Sequence, residues 1–235
     1  MTTYVLVHGA WHGGWCWGRV RRALETAGGD VYTPTLTGLG DRAHLASREV
    51  GLETHIADVL GVLETEDLTD VVLAGHSYAG MVVTAVADRA AARIARLVYL
   101  DAVVPRDGQC LYDRASAQVK AYFEEQARTG GEGWRVPVAA ASAQFLGLKS
   151  EDDLRWVMPR LAPHPIRTFR EAARLRPDAP AVPRRYINCI GDKPPGQART
   201  AQAEGIADYH ELRTGHDAMV TAPLEVAELL REAAG

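Results

Sequence analysis

Short runs of β-branched and apolar residues alternate with longer amphipathic segments over the first hundred residues. The segment from Leu52 to Glu64 carries its apolar residues at helical spacing, so they share one face. The apolar runs predict buried strands at Thr3–Val7, 31–33, 71–73 and 97–100. Strands and helices that alternate in this way predict an α/β fold, a mostly parallel sheet with helices on both faces.

The stretch from Asp70 to Gly80 carries the clearest chemical signal. An apolar strand leads into Gly75-His76-Ser77-Tyr78-Ala79-Gly80, and an Ala-rich segment with helical character follows from Met81 to Ala92. A strand, a Gly-x-Ser turn and a helix in this order predict a nucleophile elbow that exposes the Ser77 hydroxyl. Alanine replaces the usual second glycine at position 79, and we expect the turn to survive this small change.

A serine nucleophile needs a base and an acid, and the chain offers both at later strand ends. Asp192 follows the strand predicted at Arg185–Ile190, and His216 follows the last predicted strand, Tyr209–Leu212. The order Ser77, Asp192, His216 is the order of a nucleophile-elbow hydrolase. Asp101 also ends a strand and is the alternative acid. Asp217 adjoins His216, and we expect it to be a surface or capping residue.

The Gly-rich loop after the first strand, from His8 to Gly14, is the second candidate for oxyanion binding. We expect the amide N–H of Ala10 to act there together with that of Tyr78. His8 and His12 lie four residues apart, but the span is a turn without a glutamate, so we predict structural packing and no metal site. Trp11 is a candidate for the substrate pocket.

The alternation breaks between residues 106 and 183, where prolines, glycines and helix-like pieces at Ala115–Arg128 and Glu151–Val157 replace the strands. We predict a helical cap over 106–183, inserted after the fifth or sixth strand, with the sheet core formed by 1–105 and 184–235. Further candidates for the pocket lie in the cap: Trp134, Phe145, Leu146, Trp156, Met158 and Phe169. We expect most of the cap's apolar residues to form a core of its own.

Composition narrows the classes of partner. The chain of 235 residues is 47% hydrophobic and 24% charged, with a net charge of −4. The acidic balance argues against nucleic acid and anionic membranes as partners. We find neither a secretory signal pattern nor an apolar run that could span a bilayer. The three cysteines are odd in number and far apart, which predicts free thiols in the cytoplasm.

His8 to Trp17, the Ser77 motif, Gly191-Asp192-Lys193 and Gly215-His216-Asp217 resemble the plant-type methylesterase and hydroxynitrile lyase branch of the α/β-hydrolases. The resemblance spans nearly the whole chain and implies an α/β-hydrolase fold, a Ser77–His216–Asp192 triad and an oxyanion hole at Ala10 and Tyr78. It implies no cofactor and a small carboxylic ester as substrate, and we expect a monomer or homodimer.

Two residues bear on which reaction of this branch is predicted. Hydroxynitrile lyases carry a threonine after the first-loop histidine and a lysine after the catalytic histidine, where this chain has Gly9 and Asp217. A carboxylate opposes the departure of cyanide, so ester hydrolysis is favoured, with small apolar aryl or alkyl esters as substrates. The alternatives are carbon–carbon lysis or lactone opening on the same residues, or a ligand receptor without catalysis.

Overall fold

The computed structural model describes residues 1–139, 142–191 and 205–235. Its strands are β1 Thr3–Val7, β2 Asp30–Tyr32, β3 Val71–His76, β4 Ile94–Leu100, β5 Arg135–Val136, β6 His164–Pro165, β7 Arg184–Cys189 and β8 Asp208–Leu212. Six of these strands form one sheet in the order β2-β1-β3-β4-β7-β8, and every neighbouring pair in it is parallel.

The helices cover both faces of this sheet. They are α1 Gly18–Thr26, α2 Leu52–Thr65, α3 Ala79–Arg89, α4 Ala117–Gly130, α5 Ser142–Leu146, α6 Glu151–Val157, α7 Arg167–Arg170, α8 Ala218–Thr221 and α9 Pro223–Ala233. Short 3-10 turns precede α1 and α4. The predicted helix near 197–204 lies outside the described residues.

Alternate residues of the central strands pack on opposite faces. Val71 and Leu73 belong to the apolar cluster that contains α2 and α3, whereas Val72 and Ala74 belong to the cluster that contains α1 and α9. Since side chains alternate along a strand, this division buries all six residues of β3. The predicted α/β architecture is therefore confirmed.

The segment between β4 and β7 differs from the prediction in three respects. It follows the fourth strand of the sheet, not the fifth or sixth, because the strands that precede it are only the four already predicted before residue 106. It also contains a strand pair, β5 with β6, which is antiparallel and only two residues long. Finally, its residues Val136, Ile166 and Phe169 pack in the same cluster as Leu73 of the sheet and do not form a separate core.

Among the described residues, no helix combines the length and the apolar character that crossing a bilayer requires.

Two glycines in helices offer a matched test of packing at the elbow. A Cβ on Gly80 would lie 1.9 Å from the carbonyl oxygen of Val103, whereas a Cβ on Gly61 would have no neighbour within 4 Å. We expect Gly80→Ala to lower the free energy of unfolding by about 3 kcal/mol or more through overpacking. Gly61→Ala should raise it by about 0.5–1 kcal/mol through helix propensity. Urea denaturation of both variants checks this, and equal effects would contradict it.

Candidate active site

Ser77 lies at a sharp turn between β3 and α3. Its φ of +54° is in the left-handed region, and its backbone N–H donates to the carbonyl of Leu100 at 3.2 Å. Small neighbours make the turn possible, since a Cβ on Gly75 would lie 2.6 Å from a methyl of Val83. Ala79 is fully buried within the turn. The elbow therefore forms with alanine in place of the second glycine, as predicted from the sequence.

The imidazole of His216 lies between Ser77 and a carboxylate. Its Nε2 is 2.9 Å from Oγ of Ser77, and its Nδ1 is 2.6 Å from Oδ2 of Asp101. Because the carboxylate only accepts, Nδ1 carries the hydrogen, which leaves Nε2 as the acceptor for the Ser77 hydroxyl. The ring therefore has the tautomer that a general base requires.

The carboxylate that the structure shows at Nδ1 is that of Asp101, the alternative acid, whereas we favoured Asp192 from the sequence. Asp192 lies outside the described residues. Asp101 directly follows β4, which pairs with β3, so the ends of these two strands are adjacent. Its backbone N–H donates to Ile187 at 2.8 Å and its Oδ1 accepts from the N–H of Cys189 at 3.4 Å. Because Nδ1 has a single N–H, the geometry favours Asp101.

Ala10 and Tyr78 lie against the same cavity as Ser77. Within the described residues, neither backbone N–H donates to a protein acceptor, so both are available to an oxyanion. Tyr78 occupies the N-cap of α3, where the helix dipole favours negative charge. The peptide that ends in the Ala10 N–H is fixed by His8, whose Nδ1 donates to the Gly9 carbonyl at 2.8 Å.

Four histidines around this loop are buried and neutral. Nε2 of His8 accepts from the Leu36 N–H at 3.0 Å, and Nδ1 of His164 accepts from the Trp11 N–H at 3.3 Å. Nδ1 of His55 lies 2.9 Å from the Tyr78 hydroxyl, which donates to it. His76 donates from Nε2 to the carbonyl of His216 at 3.0 Å.

Burial lowers the pKa of His8 to about 3 and that of His55 to about 4, and it lowers the pKa values of His76 and His164 strongly.

His12 differs from these four. Its Nδ1 is 2.7 Å from the carbonyl of Ala10, and its Nε2 is 3.0 Å from Oδ2 of Asp217. Both partners accept, so both ring nitrogens carry hydrogen and the ring is an imidazolium. Asp217 is fully buried, which corrects our expectation of a surface or capping residue. It occupies the N-cap position of α8, but its side chain makes no capping hydrogen bond there and binds His12 instead.

A cavity of about 580 Å³ opens beside Ser77. Trp11 and Phe145 line it, as we expected, but Trp134 does not. Trp134 instead stacks with the guanidinium of Arg135, 4.7 Å from the ring centroid. Leu146 and Phe169 also line it, as we expected, whereas Trp156 and Met158 do not. Sequence reasoning missed the other large apolar lining residues because they come from separate elements: Val103, Leu111, Val119, Tyr122, Phe123, Val136, Pro137 and Leu161.

The neutral histidines predict that acid destabilises the fold. Below pH 6.5 the unfolded chain binds protons at His8, His55, His76 and His164, whereas the folded chain keeps them neutral. Stability is therefore full above pH 6.5 and declines as the pH falls toward the folded pKa values, by up to about 2 kcal/mol per histidine between pH 7 and 5. Urea denaturation at pH 7, 6 and 5 measures this decline.

His55→Gln provides the matched control, because glutamine can bind the same two partners without titrating. We expect its stability to depend less on pH by about 2 kcal/mol over the same range. A free energy of unfolding that stays constant from pH 7 to 5 in the unsubstituted protein would contradict the prediction.

Residues 4–229 match the alpha/beta hydrolase family. A carbendazim hydrolyzing esterase from Nocardioides sp. (strain SG-4G) is 42% identical over 242 residues, covering 98% of this chain and 98% of that protein. Pheophorbidase from Raphanus sativus is 27% identical over 201 residues, covering 80% and 76%. The predicted resemblance to methylesterases and their bacterial relatives is confirmed.

The solved structures agree with this assignment. An extracellular alpha/beta-hydrolase from a Paenibacillus species, described as sharing structural and functional homology with tobacco salicylic acid binding protein 2, superposes with a TM-score of 0.86 at 26% identity and covers 99% of each chain. The methylesterase MES16 from Arabidopsis superposes with a TM-score of 0.78 at 23% identity, covering 99% and 98%, and supports the fold alone. The chain therefore belongs to the alpha/beta hydrolase family, as a hydrolase of the carboxylesterase type.

Proposed function

We propose that this protein hydrolyses small, uncharged apolar esters, with Ser77 as the nucleophile, His216 as the general base and Asp101 as the acid that orients it. The observation that carries the proposal is the pair of hydrogen bonds made by His216, 2.9 Å to Ser77 and 2.6 Å to Asp101. These distances lie within the reach needed for proton transfer from a serine.

The reaction is an acyl transfer in two steps. As Ser77 Oγ attacks the ester carbonyl, Nε2 of His216 takes its proton, and the N–H groups of Ala10 and Tyr78 stabilise the oxyanion. His216 then protonates the departing alcohol, which leaves an acyl group on Ser77. Water attacks this acyl-enzyme with His216 again as base, and the acid is released. Each oxyanion donor supplies about 3 kcal/mol of the barrier reduction.

The cavity supports the apolar substrate class. Its lining is mostly aliphatic and aromatic, and Arg114 is the charged residue among the described lining residues. Side chains of Val119, Tyr122 and Phe145 remain partly exposed where they line it, so the apolar surface extends outward from Ser77. Burial of one further CH₂ group of a substrate is worth about 0.8 kcal/mol, or about fourfold in kcat/KM.

Hydroxynitrile cleavage has less support than ester hydrolysis. Asp217 stands where these lyases carry a lysine, but its side chain is buried against His12 and does not line the cavity, so it offers no positive charge to departing cyanide. A Cβ at position 9 would lie 2.8 Å from Nδ1 of His76 and 3.0 Å from Cβ of Ser77, so a threonine does not fit this loop. The packing around Gly9 therefore favours hydrolysis over lysis.

An ester panel on the unsubstituted protein and Ser77→Ala tests the activity. The panel contains 4-nitrophenyl acetate, butyrate and hexanoate, aryl methyl esters, carbendazim, a negatively charged ester and mandelonitrile. We expect kcat/KM to rise with acyl length, the charged ester to react poorly, and Ser77→Ala to lose about 10⁶-fold in kcat. Faster cyanide release than ester cleavage, or full activity in Ser77→Ala, would refute the proposal.

Two aspartate variants decide which carboxylate serves His216. Asp101→Asn should lower kcat by about 10³- to 10⁴-fold, because an amide at this site stabilises the wrong imidazole tautomer. Asp192→Asn should change kcat by less than about tenfold if Asp101 holds Nδ1. Steady-state kinetics on 4-nitrophenyl acetate measures both, and a larger loss in Asp192→Asn would assign the acid to position 192.

A further inference from the structure

A buried ion pair connects the two halves of the site. Asp217 follows His216 in the chain, and its Oδ2 lies 3.0 Å from Nε2 of His12, which is 205 residues away in sequence. The side chains are 1% and 0% exposed. Burial by itself would lower the pKa of His12, but the Asp217 carboxylate outweighs it and raises the pKa above its usual value. The geometry agrees with this direction, since Nδ1 and Nε2 of His12 both face oxygen acceptors and both therefore carry hydrogen.

The same histidine reaches the loop that supplies the oxyanion donor. Nδ1 of His12 donates to the carbonyl of Ala10 at 2.7 Å, and Ala10 lines the same cavity as Ser77. The hydrogen bonds of His12 therefore link Asp217, which adjoins the proposed base His216, to Ala10, the proposed oxyanion donor. We call this link the His12–Asp217 bridge.

Resting on the function proposed above, we propose that His12 and Asp217 are positioning residues that hold the His216 loop and the Ala10 loop in their reactive arrangement. Neither side chain touches the cavity, so neither acts on the substrate directly. They act by setting the distances from Ser77 to its base His216 and to the oxyanion donor Ala10. Displacements of about 1 Å at such groups cost roughly 100-fold in rate.

Two other hydrogen bonds hold the loop that contains His216, but neither of them connects it to Ala10. The N–H of Asp217 donates to Leu146 at 2.9 Å, and His76 donates to the carbonyl of His216 at 3.0 Å. Among the described residues, the Asp217 side chain alone carries a hydrogen-bonded path from this loop to the Ala10 carbonyl. A buried ion pair seldom stabilises a fold more than apolar side chains of similar size would. The contribution of this pair is therefore to the positions of the His216 loop and the Ala10 loop.

Four variants assayed on 4-nitrophenyl acetate test the bridge. Asp217→Ala and His12→Ala should each lower kcat by roughly 30- to 100-fold, with KM changed by less than about threefold, because the reacting groups move while the cavity wall remains. Asp217→Asn should stay within about threefold of the unsubstituted kcat. Its amide can donate to Nε2 of a neutral His12, whose Nδ1 still donates to Ala10.

The double variant His12→Ala/Asp217→Ala measures the coupling. Both substitutions break the same bridge, so the kcat of the double variant should be no more than about threefold below that of the slower single variant. If the two effects were independent, they would multiply to a loss of roughly 1,000-fold or more. Rates are expressed per folded site, counted by complete labelling with a fluorophosphonate. A role in packing alone would reduce the number of folded sites and leave kcat per site unchanged.

Asp208→Ala is the matched control. Asp208 accepts from Arg185 at 2.9 Å in a partly buried ion pair, but it begins β8 at the opposite edge of the sheet. Its loss should lower stability and leave kcat per site unchanged. The proposal is overturned if Asp217→Ala keeps kcat within about threefold, if Asp217→Asn is as slow as Asp217→Ala, or if the single effects multiply. A failure of the hydrolase function itself is separate, since the unsubstituted protein would then cleave no ester.

Discussion

The imidazole of His216 is hydrogen-bonded to the side chains of Ser77 and Asp101, and the parallel sheet brings these two residues together. Ser77 and Asp101 follow β3 and β4, which are hydrogen-bonded neighbours running in the same direction. Parallel strands bring their carboxyl ends to one edge, so a hydroxyl and a carboxylate lie close enough for one ring to bind both.

Three residues at this edge have left-handed backbones: Trp11, Ser77 and Asp101, with φ of +65°, +54° and +45°. Such conformations cost about 1–3 kcal/mol each and persist only when the surroundings enforce them. The backbone N–H groups of Ser77 and Asp101 are held by neighbouring strands. Trp11 is held by the segment between β4 and β7, through its carbonyl to Ala162 and its indole to Val136. That segment therefore fixes the loop from His8 to Gly14 and also lines the cavity.

The sequence was informative where a signal is local and less so where it depends on spatial order. Ser77 is marked by its own turn and His216 by its place after the last strand. The choice between Asp101 and Asp192 depends instead on which strand end lies beside the serine, and the order of strands in the sheet is not written in any short motif. The contact of His12 with Asp217 spans 205 residues, so no spacing rule identifies it.

Two of the buried histidines, His164 and His8, accept backbone hydrogen bonds through ring nitrogens that protonation would block. Protonation of His164 would remove the acceptor for the Trp11 N–H, and protonation of His8 would do the same for Leu36. Both losses fall on the loop that carries Ala10, whereas His12 already bears two protons and loses nothing in acid. The neutral rings of His8, His55 and His164 therefore hold Leu36, Tyr78 and Trp11 through acceptor nitrogens only while these rings remain unprotonated.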